Sequence, residues 1–362
     1  MLRPSGLHWS SVVRLLGPPH RSAGGDLRIF LCIADHYEPM HGKVPAWRQE
    51  ERVRRWVEEY PKLAGGAADS RGRPPQHTFF WPADEYAPQH VAAIAGLCER
   101  GLGEVEIHLH HDNDTAEGLR ETLEWFKAEL HDRHGLLRRN ADGRVEYGFI
   151  HGNWALCNSR PDGRWCGVNN ELTVLRETGC YADFTMPSSP SDTQTRTINS
   201  IYYVSDRPDR PKSHDTGIAA EVGRSAPEGS LLMVQGPLAL DWSRRKLGCL
   251  PRVENGDLHA SQPPTARRLK LWMKAGVHVA GRPNWLFIKL HTHGAKETNA
   301  DMLLGEPMRL FHQSLAGASK SADRPFQYFY VTAREMADLI HQAEQGAAEP
   351  EFHRPAAVAT NR

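Results

Sequence analysis

The chain has 362 residues, 40% of them hydrophobic and 24% charged, the balance of a globular protein with a sizeable core. Lys and Arg together number 44, as do Asp and Glu, so net charge gives no ground for binding nucleic acid or an anionic membrane. No apolar run approaches the roughly 20 residues that span a bilayer. The first 25 residues lack the apolar core and small-residue cleavage site of a secretory leader, so a cytoplasmic location is expected.

Residues 1–25, rich in Pro, Gly, Ser and Arg, read as an irregular lead-in. A buried strand is expected over 27–34, ending at Asp35-His36-Tyr37-Glu38, and a surface helix over 47–64. Strand 78–81 stops at Pro82, and helix 90–100 is closed by Gly101 and Gly103. Strand 105–110 runs into His111-Asp112-Asn113-Asp114. An amphipathic helix over 117–134 leads to strand 145–150 and then His151-Gly152-Asn153-Trp154. Helix 169–178 and strand 181–186 follow, with a hairpin arm at 200–204 and a strand at 230–235. Helix 264–276, strand 285–290 and helix 332–345 complete the core, and 347–362 reads as a disordered tail. Alternation of strand and helix predicts one α/β domain over 26–346, a parallel sheet or barrel with right-handed crossovers. The Ser/Pro/Asp/Arg-rich stretch 187–229 is the expected active-site insertion.

Histidine is in excess, with 20 residues. Several crowd at strand ends: Asp35-His36, His108-x-His110-His111-Asp112-x-Asp114 and His291-x-His293. Such ends converge on one rim of a barrel, and mixed imidazole and carboxylate ligands suit zinc, with Mn, Fe or Co as alternatives. A lone histidine is ordinarily a satisfied surface or core group; three clusters together favour a site. The six cysteines are scattered with no Cys-x-x-Cys pair, which argues against a zinc ribbon.

At these segments the chain resembles the polysaccharide deacetylase (NodB-homology) family. Ile33-Ala34-Asp35-His36 stands where that family has Thr-x-Asp-Asp. His77-Thr78-Phe79-Phe80 matches its Ala-Thr-Phe-Phe strand, Glu106-Ile107-His108-Leu109-His110 its Glu-Ile-x-x-His segment, and Ile288-Lys289-Leu290-His291 its terminal Leu-x-His. The resemblance implies a distorted (β/α)7-type barrel and a metal-dependent deacetylase of N-acetylated sugars. It implies Asp35 as catalytic base, His291 as catalytic acid, and His36, His110 and Asp114 as metal ligands. Relative to the family, Asp and His have exchanged places in that set. An alternative makes Asp35 a ligand, completed by His108 or His111. The family's Arg-x-Pro-Tyr is missing; His151, Asn153 and Trp154 stand in its place as candidate substrate-binding residues, and Asp183 as a partner orienting His291. A small-molecule or glycan substrate is expected. Other readings are a glycoside or other C–N hydrolase on the same barrel, with Glu38, Asp112 and Asp183 as carboxylates, or a non-catalytic carbohydrate-binding protein.

Overall fold

A computed structural model describes residues 6–18, 20, 26–321 and 324–352. Its strands are β1 (Leu27–His36), β2 (His77–Pro82), β3 (Gly103–Leu109), β4 (Arg138–Arg139), β5 (Val145–His151), β6 (Cys180–Asp183) and β7 (Ile201–Val204). They continue with β8 (Ile218–Ala219), β9 (Leu231–Val234), β10 (Ala239–Lys246), β11 (Leu250–Glu254), β12 (Asp257–Leu258), β13 (Trp285–Thr292) and β14 (Phe326–Tyr330). The helices are α1 (Trp9–Leu16), α2 (Ala46–Ala64), α3 (Pro88–Glu99), α4 (Ala116–Ala128), α5 (Glu171–Thr178), α6 (Ala266–Ala275), α7 (Glu297–Leu303), α8 (Glu306–Ser319) and α9 (Ala333–Glu344). No helix among the described residues is long and apolar enough to cross a membrane.

The fold is mixed α/β around a mostly parallel sheet. Strands β13, β1, β2, β3, β5, β6 and β9 pair parallel in that order. The β1 edge is shared: β14 pairs its first half and β2 its last three residues. The described ladder has ends at β12 and β8. Between β13 and the segment after β6, the contact is a side chain: the buried Lys289 ammonium donates to the carbonyls of Phe184 and Met186, both at 2.5 Å.

Strand geometry sends alternate residues to opposite faces. On β1, Leu27, Ile29, Leu31 and Ile33 pack in one core with Trp56 and Tyr60 of α2. Phe30, Cys32 and Ala34 enter a second core with Phe80, Ile150, Phe184 and the α9 residues Met336 and Ile340. Both faces are apolar and the whole strand is buried, as expected where helices cover a parallel sheet. α9 begins with a reciprocal cap between Thr332 and Glu335, and α5 ends at Gly179 in the left-handed region.

Several segments differ from their expected form. α1 stands within the stretch expected to be an irregular lead-in, and Ser11 of α1 bonds the Arg196 carbonyl at 2.8 Å. Part of the stretch expected to be a disordered tail is docked: Arg28 binds Glu349, and Phe352 packs on Phe30 and Phe329. Residues 353–362 lie outside those described. The stretch 187–229 supplies β7 and β8, which extend the sheet beyond β9. The hairpin β10–β11 and helices α7 and α8 have no counterpart in the sequence reading.

Candidate metal centre

The period-two rule places His36 on the Phe30–Ala34 face of β1. Beyond the strand, the Tyr37 amide still donates to the Phe80 carbonyl at 3.0 Å, so the chain keeps its extended course and Glu38 follows His36 to the same side. On β13, His291 lies opposite Ala34 and Thr292 opposite Asp35, which brings His293 beside His36, with ring centroids 4.8 Å apart. On β3, Val105, Ile107 and Leu109 face the α2 core, so His108 points the other way. Its ring is 4.8 Å from His36 and 4.5 Å from His110. Gly152 permits the His110 position, because a Cβ there would lie 2.1 Å from that ring.

Glu38 is the centre of this group. Its carboxylate lies 3.0 Å from His293 Nδ1, 3.4 Å from His110 Nε2 and 3.5 Å from His108 Nε2. Two ligand trios result, His36–Glu38–His293 and Glu38–His108–His110, each with its donor atoms within 4.8 Å of one another. Glu38, His36 and His108 are buried, while His110 and His293 reach solvent in part.

The electrostatics follow from that crowding. Burial alone would raise the Glu38 carboxyl, but the surrounding imidazoles, His110 and His293 above all, outweigh it and hold the group well below the usual carboxylate range. Burial, with His108 and His293 alongside, lowers His36 well below its ordinary value. His108 is lowered too, mainly by burial. Its Nδ1 donates to the Ile150 carbonyl at 2.9 Å, so the proton sits there and Nε2 carries a lone pair with no hydrogen-bond partner. A histidine fixed in this way by a backbone carbonyl is the usual state of a metal ligand. For His110, burial opposes protonation, but Asp84 and Glu38 override it and push the ring up to about 10.

The residues singled out from the sequence separate into different environments. His36 and His110 join the Glu38 group. Asp114 does not: its Oδ2 lies 3.0 Å from His111 Nδ1, in a second cluster with His151, Cys166 and Glu171. Asp35 is fully buried on the α2 face of β1. One oxygen accepts from His77 Nε2 at 2.9 Å and the other from the Gly294 amide at 2.6 Å. His291 faces the second core, and burial pushes it down to about 4, so its ring is neutral near pH 7. Asp183 bonds Thr185 through the hydroxyl and the amide, at 2.6 and 3.0 Å. Trp154 lies 6.5 Å from His36 between ring centroids. Asn153 and Trp154 both have left-handed backbone, φ 54° and 55°, a costly conformation for non-glycine residues that tends to gather at functional sites.

The sequence pattern passes over Glu38 as a ligand, and it counts His293 in the strand-end cluster His291-x-His293 without placing it in the metal set. Alternation from His36 to Glu38 and from His291 to His293 is the signal that could have found them. Glu171 and Cys166 lie far along the chain from His111, and nothing local marks them.

No sequence profile of a known protein family matches the chain, and no curated protein matches it. Among solved structures, it is similar to a "putative polysaccharide deacetylase from Mycobacterium smegmatis", at 12% identity and a TM-score of 0.44, covering 94% of this chain and 98% of that one. It is also similar to Puue Allantoinase, at 15% identity and a TM-score of 0.47, covering 93% and 96%. A third is the 4-alpha-glucanotransferase from Thermococcus litoralis, at 11% identity and a TM-score of 0.41, covering 87% of this chain and 40% of that one. At these scores the reading of the site rests on its own geometry.

Proposed function

We propose that this chain is a metal-dependent hydrolase whose centre is held among His36, Glu38, His108, His110 and His293. The observation that carries this reading is the convergence of two imidazole pairs on one buried carboxylate, with His108 Nε2 left unpartnered. A divalent ion bound there supplies a Lewis acid and a water of lowered pKa. Nitrogen and oxygen donors without sulfur suit Zn, Mn, Fe or Co.

The chain's own groups do the rest. Ile150 fixes the His108 proton on Nδ1. His110, with Nδ1 3.1 Å from the exposed Asp84 carboxylate, would be oriented by it to offer Nε2 to the ion. Trp154 presents an apolar ring beside His36, suited to the face of a sugar. Asp35 acts here as a positioning residue, tying the Gly294 turn next to His293 to the His77 ring. The barrel reading draws support from Lys289, which spans the interval between β13 and β6.

An N-acetylated sugar is the substrate class implied by the resemblance of segments 33–36, 77–80, 106–110 and 288–291. The glycosidase alternative finds less support. Asp183 is engaged by Thr185, and Asp112 accepts the Trp165 and Asn113 amides, leaving Glu38 as the one member of that trio in the histidine cluster.

The test is acetate release from N-acetylglucosamine oligomers, before and after chelation and readdition of zinc, manganese or cobalt. Release abolished by chelation and restored by metal is expected. Release of reducing sugar without acetate would replace the deacetylase reading by a glycosidase. A metal-free parent that takes up none of these ions would remove the hydrolase reading. The two trios share Glu38 and could hold one ion or two; metal stoichiometry decides between the forms.

A further inference from the structure

The second cluster lies apart in its ligands from the Glu38 group and does not depend on that reading. His111 follows β3, His151 ends β5, Cys166 lies in the loop before α5, and Glu171 opens α5. Glu171 is fully buried. One of its oxygens is 3.3 Å from His111 Nε2 and 3.6 Å from His151 Nε2, and the other is 3.3 Å from Cys166 Sγ. Zinc bonds of roughly 2.0–2.3 Å in a tetrahedron set ligand–ligand edges of roughly 3.3–3.8 Å. The three separations from Glu171 fall in that range, and all four donor atoms lie within 4.8 Å of one another.

Each ligand is prepared from behind. His151 is fully buried, and its Nδ1 donates to the Gly152 carbonyl at 2.5 Å, which leaves Nε2 as a lone pair aimed at the cluster with no hydrogen-bond partner. His111 Nδ1 faces Asp114 at 3.0 Å, the carboxylate–imidazole arrangement that raises ligand basicity. Cys166 Sγ accepts the Asn158 amide at 3.2 Å and the Val168 amide at 3.4 Å, donors that stabilise a thiolate. Gly167, at φ 105°, lets the Cys166 loop lie against the Asp114 backbone, where a Cβ would meet atoms at 2.6 Å. One thiolate and one carboxylate neutralise a divalent charge.

We infer that His111, His151, Cys166 and Glu171 form a second metal centre, for a zinc-like divalent ion, which fastens the loop carrying Trp154. Binding forms a metal–sulfur bond and releases the thiol proton to solvent. The loop depends on these same residues. Cys157 and Asn158 are left-handed, at φ 51° and 52°. Their amides are held by Glu171 and by Cys166 Sγ. The strained run 153–158, which sets Trp154 beside His36, is therefore pinned by two of the ligands.

The test is titration of the metal-free full chain with cobalt, read by the near-ultraviolet thiolate-to-cobalt charge-transfer absorption. The Glu38 group has no sulfur, so this band reports the second centre alone. It is expected in the parent and in His108→Ala and Cys157→Ser, and absent in Cys166→Ser. A parent that binds cobalt without the band, or a band that survives Cys166→Ser, overturns the proposal; the cluster would then be a Glu171–His111 ion pair. Should Cys166→Ser fail to fold, the thermal midpoint of Glu38→Gln, which removes the carboxylate shared by both trios of the first group, decides. A rise on adding zinc to the metal-free protein supports the second centre, and no rise rejects it.

Discussion

The His108 ring donates through Nδ1 to the Ile150 carbonyl at 2.9 Å, and this one bond between β3 and β5 sets the state of the nitrogen that faces Glu38. The ring is fully buried, so its tautomer is fixed by the sheet. The resemblance placed His110 in the ligand set and left His108 as an alternative; the fixed tautomer favours His108. His108→Ala is expected to lower metal affinity at the Glu38 centre by more than ~100-fold, since loss of an outer-shell partner alone costs 10–100-fold. Acetate release should fall with it. Metal analysis of the variant and a rate at saturating metal check this; unchanged metal content would move the centre elsewhere.

Asp35 has both oxygens occupied, by His77 and Gly294. Asp35→Ala strands two buried donors and is expected to cost about 2–4 kcal/mol of stability. Urea unfolding measures it. Asp35→Asn should lose less and still bind metal. If it instead kept full stability and full metal while losing all turnover, Asp35 would be the base that the resemblance implies.

Lys289 joins the carbonyls of Phe184 and Met186 to β13 from a fully buried position. Lys289→Met keeps the apolar stem and removes the donors, and about 1–3 kcal/mol should be lost as the Phe184 carbonyl loses its donor, while Met186 keeps the Gly236 amide at 3.0 Å. The denaturation midpoint should drop with the slope unchanged. A neutral substitution would show that packing alone holds this side of the sheet.

Burial raises the Asp183 carboxyl from 3.8 to about 7, against its bonds to Thr185. The folded chain therefore holds one more proton than the unfolded chain between about pH 4 and about pH 7, and this group's contribution to stability falls as pH rises through that window. Asp183→Asn removes the effect. The stability of the parent relative to the variant should decline from about pH 4 to about pH 7 and be level above. Parallel pH profiles for the two proteins would show that Asp183 titrates normally.

Strand β3 shows what was legible. Val105, Ile107 and Leu109 alternate with Glu104, Glu106 and His108, and the structure puts the apolar set in the core and His108 at the site. Strand β1 shows the opposite. Its residues are apolar on both faces, so nothing in the pattern says whether Asp35 or His36 faces the site; the cover of α2 on one side and α9 on the other decides it. Asp114 illustrates a third case. Its spacing from His110 suits a ligand pair, yet the turn after β3 carries it to His111 instead.

The sequence by itself determined the alternation of strands and helices, the polar strand ends and the clustering of histidine there, because hydrophobic periodicity and turn residues act over a few positions. Tertiary structure alone decided which of those histidines meet, and that Glu38 rather than Asp35 lies among them. It also brought Cys166 and Glu171 to His111 and His151. Such contacts depend on strand register, on the face each residue takes, and on loops whose ends are fixed by packing between segments far apart in the chain.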